Sequence, residues 1–180
     1  RWHPMSTDSA RPIRVLIADD HCQFRQALRR IFEATEDFEV VGESENGDIA
    51  VTMAGKLKPD VIVMDARMPV MDGIAATSHI VMANPFTRVV VLTLAEAEDD
   101  LYEAVRAGAR SFLLKETDAN VIVETVRSVH RGEAVLTPLL LDRLFDSIYA
   151  RSAGPTPRLT ISETGKIGAH VQNKGETPCL

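Results

Sequence analysis

Three aspartates, a threonine and a lysine each stand where an apolar run ends. Ile13 to Ala18 leads into Asp19 and Asp20, and Val61 to Met64 into Asp65. Val89 to Leu92 leads into Thr93, and Phe112 to Leu114 into Lys115. An acid on a solvated loop needs no explanation, but one at the tip of an apolar run calls for a partner. Carboxylates brought together repel and stay ionised only if a cation joins them. Oxygen-only ligands favour Mg²⁺ or Mn²⁺ over softer metals, and Mg²⁺ takes a few carboxylates plus phosphate oxygens. Asp19, Asp20 and Asp65 therefore describe a divalent site that receives a phosphoryl group. A carboxylate can itself be the nucleophile and form an aspartyl phosphate. Such transfer needs positioning and charge neutralisation more than covalent chemistry. Lys115 offers a point charge to the phosphate, and Thr93 offers a hydroxyl donor.

The elements that must position these groups alternate. The four-residue apolar run before Asp65, bounded by Pro59 and Pro69, reads as a strand buried on both faces. Strands are expected at Ile13–Ala18, Phe38–Gly42, Val61–Asp65, Arg88–Thr93 and Ser111–Leu114. Helices are expected at His21–Glu33, Asp48–Leu57, Gly73–Met82 and Asp99–Ala107, with a fifth from Thr117 or Asp118 to His130. Phe24, Ala27, Leu28, Ile31 and Phe32 give the first helix one apolar face. Gly108 and Gly132 stand where helix C-termini need a left-handed residue. Five β-α repeats with apolar strands mean an α/β domain with a parallel sheet covered on both faces. By fold analogy the sheet takes the flavodoxin-like order 2-1-3-4-5, a (βα)5 arrangement in which strands one and three flank the switch point. That order gathers Asp19, Asp20 and Asp65 into one crevice.

The totals agree with a domain of ordinary size and an appendage. The chain has 180 residues, 45% hydrophobic and 26% charged, with formal net charge -6. A net acidic chain is a poor fit to a protein whose main surface grips nucleic acid. Cys22 and Cys179 have neither disulfide-framework nor zinc spacing, so a reduced, cytoplasmic setting is the expectation. No apolar run approaches the roughly 20 residues that span a bilayer, and no signal-peptide core is seen at the start. No G-x-x-x-x-G-K-[ST] or G-x-G-x-x-G loop is present. A phosphatase of the haloacid-dehalogenase kind wants a second Asp two residues after its nucleophile, and Arg67 stands there.

With these motifs in place, the chain resembles the receiver domain of two-component response regulators of the NarL/FixJ type. The likeness rests on Val15-Leu16-Ile17-Ala18-Asp19-Asp20-His21, Val40-Val41-Gly42-Glu43, Pro59-Asp60 through Asp72-Gly73, Val90-Val91-Leu92-Thr93, and Ala107-Gly108-Ala109 through Phe112-Leu113-Leu114-Lys115. The resemblance implies a receiver domain over 11–133 in which Asp65 is phosphorylated by a sensor histidine kinase. It implies direct Mg²⁺ ligation by Asp20, Asp65 and the Arg67 backbone carbonyl, with Asp19 acting largely through water. It implies a switch in which Thr93 moves toward the phosphoryl group while Phe112 rotates inward. Many relatives have Tyr at the Phe112 position, so here that switch would work by packing alone. His21 is read as opening the first helix and is given no role. The chain is expected not to be an enzyme in the ordinary sense, beyond Mg-dependent self-phosphorylation and autodephosphorylation.

Pro138 to Arg151 is an apolar helix more than one face wide, which needs a partner surface. It is the candidate linker helix (138–151), for coupling or for homodimerisation. A linker follows by composition at Ser152–Pro157. The stretch 152–180 is too short for the LuxR-type helix-turn-helix of relatives. Arg158-Leu159-Thr160, Ile161-Ser162-Glu163-Thr164 and His170-Val171-Gln172-Asn173 resemble pieces of that module. This stretch is expected to be a truncated or degenerate remnant, disordered or ad hoc in structure and without specific DNA binding. DNA contact would then need an intact output domain. The expected function is control of transcription through phosphorylation; the alternative is a stand-alone receiver serving as phosphate sink or protein-binding switch. A third reading, a true hydrolase acting on exogenous phosphoesters, is the least favoured.

Overall fold

The structure is a computed structural model that describes residues 11–94 and 98–152, together with the backbone of 158–161 and 167–170. Five parallel strands, β1 (Ile13–Ala18), β2 (Phe38–Ser44), β3 (Val61–Asp65), β4 (Arg88–Thr93) and β5 (Ser111–Leu114), form a sheet of order β2-β1-β3-β4-β5. This is the order expected. Helices α1 (Cys22–Glu33), α2 (Gly47–Leu57), α3 (Gly73–Ala83), α4 (Glu98–Ala107) and α5 (Ala119–His130) alternate with the strands, and α6 (Pro138–Ser152) follows.

Period-two alternation divides the strands between two cores. Leu16, Ala18, Ile62, Met64, Val89 and Val91 face one side, against Ala50 and Ala54 of α2, Ala76 and Ile80 of α3, and Leu101 and Ala104 of α4. Val15, Ile17, Val61, Val63, Val90 and Leu92 face the other, against Leu28 and Phe32 of α1 and Ile122, Val126 and Val129 of α5. Both faces are covered, so the strands have no polar face to expose. The pairing of β1 with β2 shifts by one residue between Val15 and Leu16. The resulting bulge carries β2 on to Ser44, two residues past the expected end.

Side chains fix the helix starts. Asn46 accepts from the Ile49 N–H at 2.9 Å, Asp72 from Ala75 at 2.7 Å and Asp118 from Asn120 at 2.8 Å. Gly108 and Gly132 have φ of 100° and 99°, the left-handed conformation that glycine adopts freely.

At the amino-terminal rim of the sheet, Asp60 accepts both the Arg11 guanidinium (3.1 and 2.8 Å) and the Arg14 N–H (2.9 Å). Helix α6 packs on α4. Leu140 is buried in the core on the α4 side, and Leu136 and Leu144 pack against it. Arg151 bonds Glu103 at 3.1 Å and stacks over the Tyr102 ring at 4.2 Å.

Arg158–Ile161 (β6) and Ile167–His170 (β7) pair as antiparallel strands. The remainder of 153–180, and Cys179 with it, lies outside the described residues, as do residues 1–10. No helix among the described residues is long and apolar enough to cross a membrane.

Candidate functional site

All five expected side chains lie at the carboxyl-terminal edge of the sheet, because each follows or ends a strand. Backbone hydrogen bonds carry the ladder one step beyond the strands. Asp19 N–H donates to the Ser44 carbonyl at 3.0 Å, Ala66 N–H to Leu92 at 2.8 Å and Lys115 N–H to Thr93 at 2.8 Å. The first residue of each loop is therefore held as firmly as the strand itself. The loop after β3 is pinned from below by Gly73. A Cβ added there would lie 1.8 Å from the Asp65 carbonyl oxygen, so only glycine permits this approach.

Asp19 and Asp65 are buried, at 1% and 3% exposure. Lys115 stands between them, its Nζ 2.8 Å from Asp19 Oδ2 and 2.8 Å from Asp65 Oδ2. The contact with Asp65 has hydrogen-bond geometry. Asp19 Oδ2 is buried without a hydrogen bond. The Phe24 ring lies 5.0 Å from the same ammonium and closes it from solvent. Asp65 Oδ1 accepts the Arg67 N–H at 3.2 Å.

The charges do not balance. Asp19, Asp20 and Asp65 face one ammonium. Burial, helped by the negative charge of Asp19, pushes the Asp65 carboxyl above the ordinary carboxylate value, against the pull of Lys115 and the Arg67 N–H. Burial alone would lower Lys115, but its bonds to Asp19 and Asp65 outweigh that and raise it. The pocket thus keeps its lysine charged and still carries surplus negative charge.

That surplus fits a hard divalent cation. One ligand atom from each of Asp19, Asp20, His21 and Asp65 lies within 4.8 Å of the others. The donors are chiefly carboxylate oxygens, the set that Mg²⁺ and Mn²⁺ take.

Thr93 and Phe112 lie on the neighbouring strands β4 and β5. Thr93 is buried at the end of β4, and its hydroxyl donates to the Leu94 carbonyl at 3.3 Å. Phe112 is 3% exposed, its ring already inside the core on the α4 side. Two features escaped the sequence reading. The Arg67 guanidinium turns away from the pocket and binds Asp100 of α4 through bonds of 2.8 and 2.7 Å. His21, set aside as a helix start, points its Nδ1 at Asp20 Oδ1, 2.8 Å away. The adjacency of His21 to two acids was the available signal for the second. Nothing local to Arg67 announced the first.

A doubly wound α/β domain with an acidic, lysine-bearing pocket at its carboxyl-terminal strand edge is the class that fold and site define. Residues 15–127 match the family of the response regulator receiver domain. The chain is 37% identical over 132 residues to the transcriptional regulatory protein DegU of Brevibacillus brevis, covering 73% of this chain and 56% of that protein. It is 39% identical over 140 residues to the response regulator protein VraR of Staphylococcus epidermidis, covering 78% of this chain and 67% of that protein. Among solved structures, the signal receiver domain of the putative response regulator NarL from Mycobacterium tuberculosis superposes with a TM-score of 0.65 at 32% identity. That match covers 68% of this chain and 99% of that one. The chain belongs to the response regulator receiver-domain family. It spans little more than half the length of DegU.

Proposed function

We propose that this chain is the phosphorylation-controlled input unit of a two-component transcriptional regulator. The observation that carries it is the position of Lys115 Nζ, 2.8 Å from both Asp19 and Asp65 at the mouth of the sheet. An Asp65 oxygen attacks the phosphorus of a phosphohistidine on a sensor kinase. The P–N bond breaks, its electron pair leaves with the imidazole, and an aspartyl phosphate remains. Asp19, Asp20 and Asp65 would hold Mg²⁺, with the Arg67 carbonyl as a further ligand. When bound, the ion offsets negative charge on the phosphoryl oxygens. Lys115 then has a phosphate to pair with in place of a bare carboxylate, and the Thr93 hydroxyl is free to leave the Leu94 carbonyl for a phosphoryl oxygen. The output is a shift in a two-state equilibrium of the domain. The Phe112 side and α6 on α4 are its readout elements, by way of homodimerisation or release of a DNA-binding unit.

Incubation with acetyl phosphate and Mg²⁺, followed by intact mass, tests this. One added phosphoryl group, lost in Asp65→Asn and in Mg²⁺-free buffer, is the expected result. No added mass, or addition retained in Asp65→Asn, would refute it.

A further inference from the structure

The His21 backbone N–H donates to Asp19 Oδ1 at 2.8 Å, but the chemistry above gives its side chain no part. His21 occupies the N-cap of α1, yet its side chain makes no capping hydrogen bond. Helix-start preference therefore does not explain an imidazole there, since Ser, Thr, Asp or Asn would serve the cap. The ring leans back over the acids instead. Nδ1 lies 2.8 Å from Asp20 Oδ1 and 3.5 Å from Asp19 Oδ1. Two ligands set at right angles about one ion, with bonds of about 2.1 Å, stand roughly 3 Å apart. The 2.8 Å contact with Asp20 is the length of an ion pair and also that of neighbouring ligands of a single cation, while the contact with Asp19 is somewhat longer. The nitrogen also belongs to the group of four whose ligand atoms lie within 4.8 Å of one another. The ring is largely exposed, with 64% of its side chain open to solvent, so a bound ion meets little steric resistance from it.

We propose that His21 Nδ1 is a ligand for a borderline transition ion in the phosphoacceptor pocket, giving the site a preference for such ions that its carboxylates alone lack. Imidazole suits Ni²⁺, Zn²⁺ and Cu²⁺, whereas carboxylate, carbonyl and water suit Mg²⁺ and Mn²⁺. The same pocket then has two modes: oxygen ligation of Mg²⁺ without His21, and mixed nitrogen–oxygen ligation of a transition ion with it. The inference rests on the reading of Asp19, Asp20 and Asp65 as a divalent site.

Calorimetric titration of the full chain with NiCl₂ and with MgCl₂ tests it. Wild type is compared with His21→Ala, His21→Gln, Asp20→Asn, and Asp20→Asn combined with His21→Ala, each checked for folding by circular dichroism. The expected result is a loss of Ni²⁺ affinity of roughly tenfold or more in both His21 variants. Mg²⁺ affinity should change less than about twofold. His21→Ala should add nothing further in the Asp20→Asn background, which separates this site from other histidines of the chain. Equal losses for the two ions, no loss for either, or an independent loss in the Asp20→Asn background would each overturn the proposal. Failure of the underlying reading looks different: Mg²⁺ binding would survive Asp20→Asn, and acetyl phosphate would add no mass.

Discussion

The Arg67 guanidinium grips the Asp100 carboxylate at 2.8 and 2.7 Å, while its own N–H donates to Asp65 at 3.2 Å. One residue therefore joins the loop after β3 to α4. Asp100 is buried, at 6% exposure, but the Arg67 side chain is 71% exposed, so solvent screens the pair. Arg67→Ala is expected to destabilise the domain by about 1–2 kcal/mol, chiefly through the stranded Asp100 charge. Arg67→Ala with Asp100→Asn should recover much of that. A urea denaturation double-mutant cycle measures both; additive losses would show that the pair is not coupled.

Lys115 has two acids to hold apart. Lys115→Met leaves buried Asp19 and Asp65 facing each other with no cation between them, a loss of about 3 kcal/mol in metal-free buffer. Mg²⁺ should raise the melting temperature of the variant more than that of wild type. A variant whose deficit is the same with and without Mg²⁺ would show that the carboxylates do not share an ion.

Acidity acts on two aspartates in opposite senses. Burial raises the Asp65 carboxyl above 3.8, so its ionised form weakens the fold at neutral pH and the penalty is relieved as pH falls. Asp65→Asn in EDTA should therefore be more stable than wild type at pH 7, by on the order of 1 kcal/mol, with the gap closing toward pH 4. Asp37 runs the other way. Arg127, through bonds of 2.7 and 2.9 Å, holds its carboxyl below 3.8. That contribution is present above the unfolded value and is lost as pH falls through the lower folded one. The advantage of wild type over Arg127→Ala should vanish at strongly acidic pH. Thermal melts from pH 7 down to strongly acidic pH read both trends.

Gly73 has no room for a methyl group. Gly73→Ala places a Cβ 1.8 Å from the Asp65 carbonyl oxygen, and the loop must shift. A loss of roughly 2–4 kcal/mol is expected, with slower phosphorylation by acetyl phosphate even at temperatures where the variant is folded. Gly55, whose added Cβ meets nothing within 4 Å, is the control. Gly55→Ala, in the middle of α2, should be neutral or stabilising by up to about 1 kcal/mol.

Adjacent leucines of α6 differ in environment. Leu140 is 7% exposed in the core on the α4 side, and Leu141 is 42% exposed. Leu140→Ala should lower stability by about 2–3 kcal/mol and Leu141→Ala by less than about 0.5. Similar small losses for both, by chemical denaturation, would mean that α6 does not dock on α4.

The strands were legible because each is a short apolar run closed by a turn or a charged residue, and both faces of the sheet are buried. The helix ends were legible from Asn46, Asp72, Gly108 and Gly132, residues whose backbone or capping chemistry is local. The gathering of Asp19, Asp20, Asp65 and Lys115 needed the strand order, which fold analogy supplied and hydrophobic period did not. What sequence hid was directional. Arg67 looks like any exposed arginine until α4 brings Asp100 beneath it, 33 residues away. The Thr93 hydroxyl, read as a group that moves toward a phosphoryl, bonds the neighbouring Leu94 carbonyl here, a contact no spacing in the sequence announces.

Asp60 and Asp65 mark the two ends of β3, and their duties do not overlap. The knot of Arg11, Arg14 and Asp60 fastens the amino-terminal rim of the sheet, about five residues of extended chain from the Asp65 carboxylate, or roughly 17 Å. Engineering for heat tolerance can therefore be confined to that rim, with the acidic pocket at the opposite edge left intact.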